Sequence, residues 1–137
     1  MIHFFNEDVD FKVSHPRKTK AWLKSIAKAE SYEVNQLNYI FCSDEYLLTI
    51  NQQYLNHDFY TDIITFDNSE EEGIVEGDIF VSLDRIRENA NELNKPFEEE
   101  LFRVLAHGVL HLVGYDDIND EQELEMREKE DLYLSQL

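Results

Sequence analysis

Apolar residues along the chain change period several times, and each change marks an element. Ile2 to Phe5 is a short β-type run, followed by an acidic turn over Asn6 to Asp10. From about Pro16 the period becomes helical, with Trp22, Leu23, Ile26 and Ala27 on one side and Pro16 suited to the first turn. Leu37 to Cys42 alternates Leu37, Tyr39 and Phe41 with Asn38, Ile40 and Cys42, as a strand does. Ser43 can cap a second helix that turns Leu47, Ile50 and Tyr54 inward. Between Asp62 and Ser82, DIITF and GDIFVS flank the acidic stretch Asn68 to Gly73, which predicts a hairpin-like strand pair with an exposed turn.

Ser82 then begins a helix to about Leu93, and Asn94-Lys95-Pro96 punctuates. An apolar helix is expected from about Phe97 to Val113. Asp120 with Glu123 resembles a capping box for a last helix, with Leu124, Leu132 and Leu134 to anchor it. The order β-α-β-α-β-β-α-α-α predicts an α/β (α+β) domain over residues 1–137: a mixed, roughly four-stranded sheet covered by about five helices. No repeat or linker divides the chain, and 137 residues suit one domain.

Hydrophobic residues at 42% and aromatics at 12% argue against disorder despite the charge. The net charge is −18, from 30 acidic and 12 basic residues, which on its face opposes a polyanionic partner. Distribution tempers this. Lys12, Arg17, Lys18, Lys20, Lys24 and Lys28 lie in a stretch without acids, and Arg17, Lys20, Lys24 and Lys28 share a helix side at three- and four-residue spacing. They are candidate RNA-backbone contacts, and an ordinary solvated helix face is the plain alternative. The single cysteine, Cys42, excludes an intrachain disulfide and a cysteine-based zinc site. With no signal-peptide pattern and no membrane-length apolar window, a cytoplasmic protein without a membrane partner is expected.

The chemistry concentrates in the apolar helix. VLAHGVLHLV carries two polar side chains, His107 and His111, four residues apart and so on one helix face. Buried imidazoles need partners that apolar neighbours cannot give, and a metal ion is one. Gly114 permits the left-handed turn that ends the helix and returns the chain, so Asp117 is the expected third ligand and Asp116 the rival. Whichever aspartate does not bind metal is a candidate proton acceptor. One divalent ion, expected to be zinc, would have three protein ligands and an open position for catalysis. Zinc peptidases of the HExxH type place a glutamate where this chain has Gly108, so a peptidase would need its base elsewhere.

HGVLHLVGYDD closely resembles the HGxLHLxGYDH signature of the YbeY family of metal-dependent endoribonucleases, implicated in ribosomal RNA maturation and ribosome quality control. LTINQQYLNHDFYTDIITF, Leu48 to Phe66, looks like that family's LNxxYRxKDxPTDVLSF segment. GDIFVS resembles its GDIxIS strand, and Glu123 to Glu130 its tail with a methionine and a glutamate.

The resemblance implies a single-strand endoribonuclease acting on ribosomal RNA of the small subunit, and the acidic surface would suit basic ribosomal proteins as further partners. It places the metal ligands on His107, His111 and Asp117, the last where most members have a third histidine. It also places Leu55 where the family has an arginine, and Tyr60 where it has a proline before Thr61-Asp62. Arg103, one turn before His107, is the candidate substitute cation, with an ion pair to Glu98–Glu100 as its alternative. His57 is a further candidate RNA contact. Thr61 and Asp62 have either a catalytic role or a simple turn role, and Gly108 is expected to let backbone or substrate approach the first ligand. Two other functions remain in view: a ribosome-associated assembly factor with a structural metal, and a metallopeptidase-like hydrolase.

Overall fold

In the computed structural model, which describes residues 1–137, the elements follow the expected order. They are β1 (Ile2–Asn6), α1 (Pro16–Ala29), β2 (Glu33–Cys42), α2 (Asp44–Leu55), β3 (Ile63–Asp67), β4 (Ile74–Ser82), α3 (Leu83–Glu92), α4 (Phe97–Leu112) and α5 (Asp120–Leu134). The four strands form one mixed sheet ordered β1-β2-β4-β3. β1 and β4 both run parallel to β2, and β3 is the antiparallel edge paired with β4. The hairpin inferred from DIITF and GDIFVS is therefore present, although β4 begins earlier, at Ile74.

Alternation in the strands sends side chains to two unequal cores. Leu37, Tyr39, Phe41, Val75, Ile79 and Val81 face α1 and α4 in the main core. On the opposite face, α2 covers a smaller cluster of Cys42, Leu47, Ile50 and Ile64. α4 lies centrally against the sheet, with nine of its sixteen residues buried. The buried Tyr39 hydroxyl donates to the Leu105 carbonyl at 2.7 Å, tying strand to helix where a lone hydroxyl would be costly.

Gly108 explains how close α4 sits. A Cβ there would lie 2.8 Å from Ile79 Cδ1 and 3.2 Å from Ile63 Cδ1. Its bare Cα faces the sheet, so the close approach it permits is helix to strand, and substrate is not what it admits.

Several local expectations change on packing. β2 starts four residues before Leu37, because Glu33 and Val34 pair with Ile74 and Val75 ahead of a bulge between Val34 and Gln36. Tyr54 is 67% exposed, leaving Leu47 and Ile50 as the apolar anchors of α2. α5 is capped by Asn119, whose side chain accepts from Gln122 N, in place of an Asp120 box. Leu124 and Leu132 are exposed, Leu134 packs against the main core as expected, and α5 is otherwise seated by Met126, Glu130 and Tyr133. Apolar identity alone misjudged the helix face, because the inward stripe of α5 is partly polar. No helix is long and apolar enough to cross a membrane.

Candidate metal centre

The centre is assembled from α4 and the turn that follows it. α4 ends when Gly114 takes φ +106°, Tyr115 N donates to the Leu110 carbonyl at 3.0 Å, and the chain folds back over the last turn. That reversal carries Asp117 to the histidine face. His107 Nε2 lies 3.4 Å from Asp117 Oδ2, and His111 Nε2 lies 3.7 Å from Asp117 Oδ1. One ligand atom from each of the three residues lies within 4.8 Å of the others. Asp116 is outside the cluster.

The other ring nitrogens settle how the imidazoles present themselves. His111 Nδ1 is 2.9 Å from the Tyr115 carbonyl, which can only accept, so this nitrogen carries the proton. His107 Nδ1 is 2.7 Å from Glu130 Oε2. Burial opposes ionisation of Glu130, but hydrogen bonds from His107 and Arg103 outweigh it and hold the carboxyl below the ordinary range. Glu130 is thus an acceptor, and His107 donates from Nδ1. In the neutral state both Nε2 lone pairs point at the Asp117 carboxylate. Two imidazole nitrogens and one carboxylate oxygen, each ring fixed by an outer partner, suit one divalent ion.

The two histidines differ in basicity. Burial lowers both, yet His107 ends above the ordinary value because Glu130, Asp117 and Asp62 favour its cation. His111 ends below it, through burial and the neighbouring His107 charge.

His107 and Asp117 open onto a cleft of about 500 Å³ between α4, α5 and the start of β3. Its lining is acidic: Asp62, Glu100, Asp117, Asp120, Glu123 and Glu130 against two cations, Arg103 and Arg127. Burial raises the carboxyl pKa of Asp62 and of Glu100, so neither holds its negative charge as strongly as a surface acid. Asp62 serves the turn as well, since its carbonyl accepts from Ser82 N at 2.9 Å.

Arg103 is on the ligand side of α4, but both ends of its guanidinium are engaged. Nη1 bonds Glu130 at 2.9 Å and Nη2 bonds Asp131 at 2.6 Å, so its ion partners come from α5 and not from Glu98–Glu100. Arg17, Lys20, Lys24 and Lys28 do not line the cleft, and neither does His57, which stacks on Phe59 in the loop after α2. Leu55 is 41% exposed at the end of α2.

Sequence reasoning did not single out Glu130, Glu100 or Arg127. Glu130 is 23 residues from His107, a separation with no local period to reveal it. Its one signal was membership of a tail resembling a family motif.

A partly exposed two-histidine, one-aspartate cluster able to hold a metal ion, on a helix packed against a mixed sheet, defines the class, a metal-binding α/β fold. A family model described as Endoribonuclease YbeY matches residues 2–137, and the chain belongs to that family. It is 53% identical over 134 residues to the Endoribonuclease YbeY of Cytophaga hutchinsonii, covering 98% of this chain and 94% of that one. It is 51% identical over 127 residues to the Endoribonuclease YbeY of Flavobacterium psychrophilum, covering 93% and 90%. Among solved structures it is similar to the solution structure of TM1509 from Thermotoga maritima, with a TM-score of 0.69 and 36% identity over 98% of this chain and 87% of that one.

Proposed function

We propose that the protein is a metal-dependent endoribonuclease that cuts single-stranded segments of ribosomal RNA during maturation of the small ribosomal subunit, in the cytoplasm. The observation that carries this reading is the convergence of the His107 and His111 Nε2 atoms on Asp117 at the edge of an open cleft, in a chain of the YbeY family. His107, His111 and Asp117 would hold one divalent ion, with zinc the best match to two imidazoles and a carboxylate. Such an ion supplies Lewis acidity at a phosphodiester.

The remaining work belongs to the chain. Glu130 and the Tyr115 carbonyl fix the imidazole rings from behind, so the ligand atoms are oriented before the ion arrives. Asp117, with 44% of its side chain exposed, keeps one side of the centre accessible. Arg103 neutralises Glu130 and seats α5; with both ends engaged, it is a positioning residue. Asp116, outside the ligand cluster, is assigned no catalytic step. On α1, Arg17, Lys20, Lys24 and Lys28 form a cationic track for RNA backbone away from the cleft, and His57 can add a stacking contact.

The test is cleavage of structured ribosomal RNA by purified protein with Zn²⁺ restored, beside His111→Ala. Loss of cleavage in the variant supports the reading. Equal cleavage by both points to a contaminant and favours a second reading, a ribosome-associated assembly factor with a structural metal. The acidic lining of the cleft and Leu55 favour that second reading. A metallopeptidase has less support: Gly108 occupies the usual glutamate position and packs on Ile79, while Glu130 has one oxygen on His107 and the other on Arg103.

A further inference from the structure

Six of the twelve basic residues lie outside the Lys12–Lys28 stretch. Five of those six are in ion pairs: Arg85, Arg87, Lys95, Arg103 and Lys129. Arg127 alone is in none, although it sits on a helix dense with acids. Of the acids three or four positions away on α5, Glu130 and Asp131, at i+3 and i+4, are taken, and only Glu123, at i−4, is not. Glu130 is held by His107 and Arg103, and Asp131 by Arg103. Glu123, one turn earlier on the same helix and also in the cleft lining, makes no ion pair with it.

This one uncommitted guanidinium outside α1 opens onto the cleft that holds His107 and Asp117. Arg103, the other cation there, has both ends occupied. A cleft lined by six carboxylates repels a polyanion unless it also presents positive charge where the phosphate must rest. A guanidinium is the side chain best shaped for that contact, since its parallel N–H groups match two phosphate oxygens.

We infer that Arg127 is the phosphate-binding residue of the cleft, donating to non-bridging oxygens of the RNA backbone beside the metal centre. The inference rests on the ribonuclease reading and adds the residue that grips the substrate. It also gives α5 a division of labour: Glu130 and Asp131 absorb Arg103, which leaves Arg127 free three residues earlier.

The experiment is single-turnover cleavage of a labelled single-stranded ribosomal RNA fragment by Zn²⁺-loaded full-length protein in excess, at several salt concentrations. Wild type is compared with Arg127→Ala and Arg127→Lys, and Zn²⁺ affinity is measured for each by chelator competition. Arg127→Ala should raise the half-saturating protein concentration about tenfold or more, as loss of a charged hydrogen bond does. It should also flatten the salt dependence by about 0.7 in log–log slope, the share of one single-strand phosphate. Arg127→Lys should keep the slope and recover part of the affinity. Zn²⁺ affinity should be unchanged in both.

Wild-type half-saturation and slope in Arg127→Ala would overturn the inference and leave the ribonuclease reading standing. A fall in Zn²⁺ affinity with that variant would overturn it by showing a structural role. Wild-type protein that neither binds nor cuts the RNA would overturn both.

Discussion

α4 and α5 lie side by side and both serve the metal centre, but different forces hold them. α4 buries nine of sixteen residues, nearly all apolar, and lies directly on the sheet. α5 buries three of fifteen, and one of those is Glu130. Its seat is largely polar: Arg103 to Glu130 and Asp131, His107 to Glu130, and Tyr133 with Lys129 to Glu30 on the edge of α1. A centre built this way has one half set by packing and one half set by a few charged hydrogen bonds, so the helices should fail differently when perturbed.

Glu130→Ala should produce the largest effect. It removes the acceptor of His107 and strips Arg103 of one of its two partners. Breaking a buried pair on one side costs about 3–5 kcal/mol, and the low end is expected because Asp131 still engages Nη2. Denaturant unfolding would measure it. Zn²⁺ affinity should fall about 10–100-fold with the loss of this outer-sphere partner, and less in Glu130→Gln, whose amide oxygen still accepts from Nδ1. Unchanged metal affinity in Glu130→Ala would detach α5 from the centre.

Glu30→Gln tests the polar seat at its other end. Burial opposes ionisation of Glu30, yet hydrogen bonds from Tyr133, Tyr115 and Lys129 win, and its pKa lies below the ordinary 4.5. A depressed carboxyl contributes stability that is fully present above the unfolded value and is lost as pH falls through the folded one. The variant should be less stable by about 1–3 kcal/mol at neutral pH, with the gap to wild type closing only below about pH 4.5. Thermal unfolding at pH 7 and pH 3 reads both parts. A gap that widens in acid would contradict the assignment.

On α4, Gly108→Ala opposes two terms. Alanine gains about 1 kcal/mol of helix propensity over glycine. Overpacking against Ile79 and Ile63 costs roughly 1–3 kcal/mol. A net loss near 1 kcal/mol is expected, seen as a lower thermal midpoint, and a more stable variant would show that α4 can lift off the sheet freely. The smallest effect belongs to Leu124→Ser, an exposed position on α5, which should change stability by less than about 0.5 kcal/mol. A larger loss would mean that Leu124 is part of the seat of α5.

The same contrast accounts for what was legible in advance. In α4 the chemistry is local: a four-residue histidine spacing and a glycine at the helix end follow from helix geometry, so His107 and His111 could be read directly and Asp117 preferred to its rival Asp116. In α5 two of the three leucines expected to anchor it, Leu124 and Leu132, face solvent and only Leu134 packs on the core, because Glu130 and Tyr133 satisfy their polar atoms against α4 and Glu30 and so can point inward. Arg103 shows the limit most plainly. Its helix position was evident, but its partners came from α5, 27 and 28 residues away, and not from its own first turn.

By itself the sequence determined the order of elements, the mixed sheet with its helical cover, and the histidine pair with an aspartate after the helix, since each follows from periodicity or short-range spacing. Only the tertiary structure decided which carboxylate holds His107, which arginine is bound and which is free, and that Gly108 serves the sheet. Those outcomes depend on how side chains distant in sequence divide a limited number of partners, and the division is made when the helices pack.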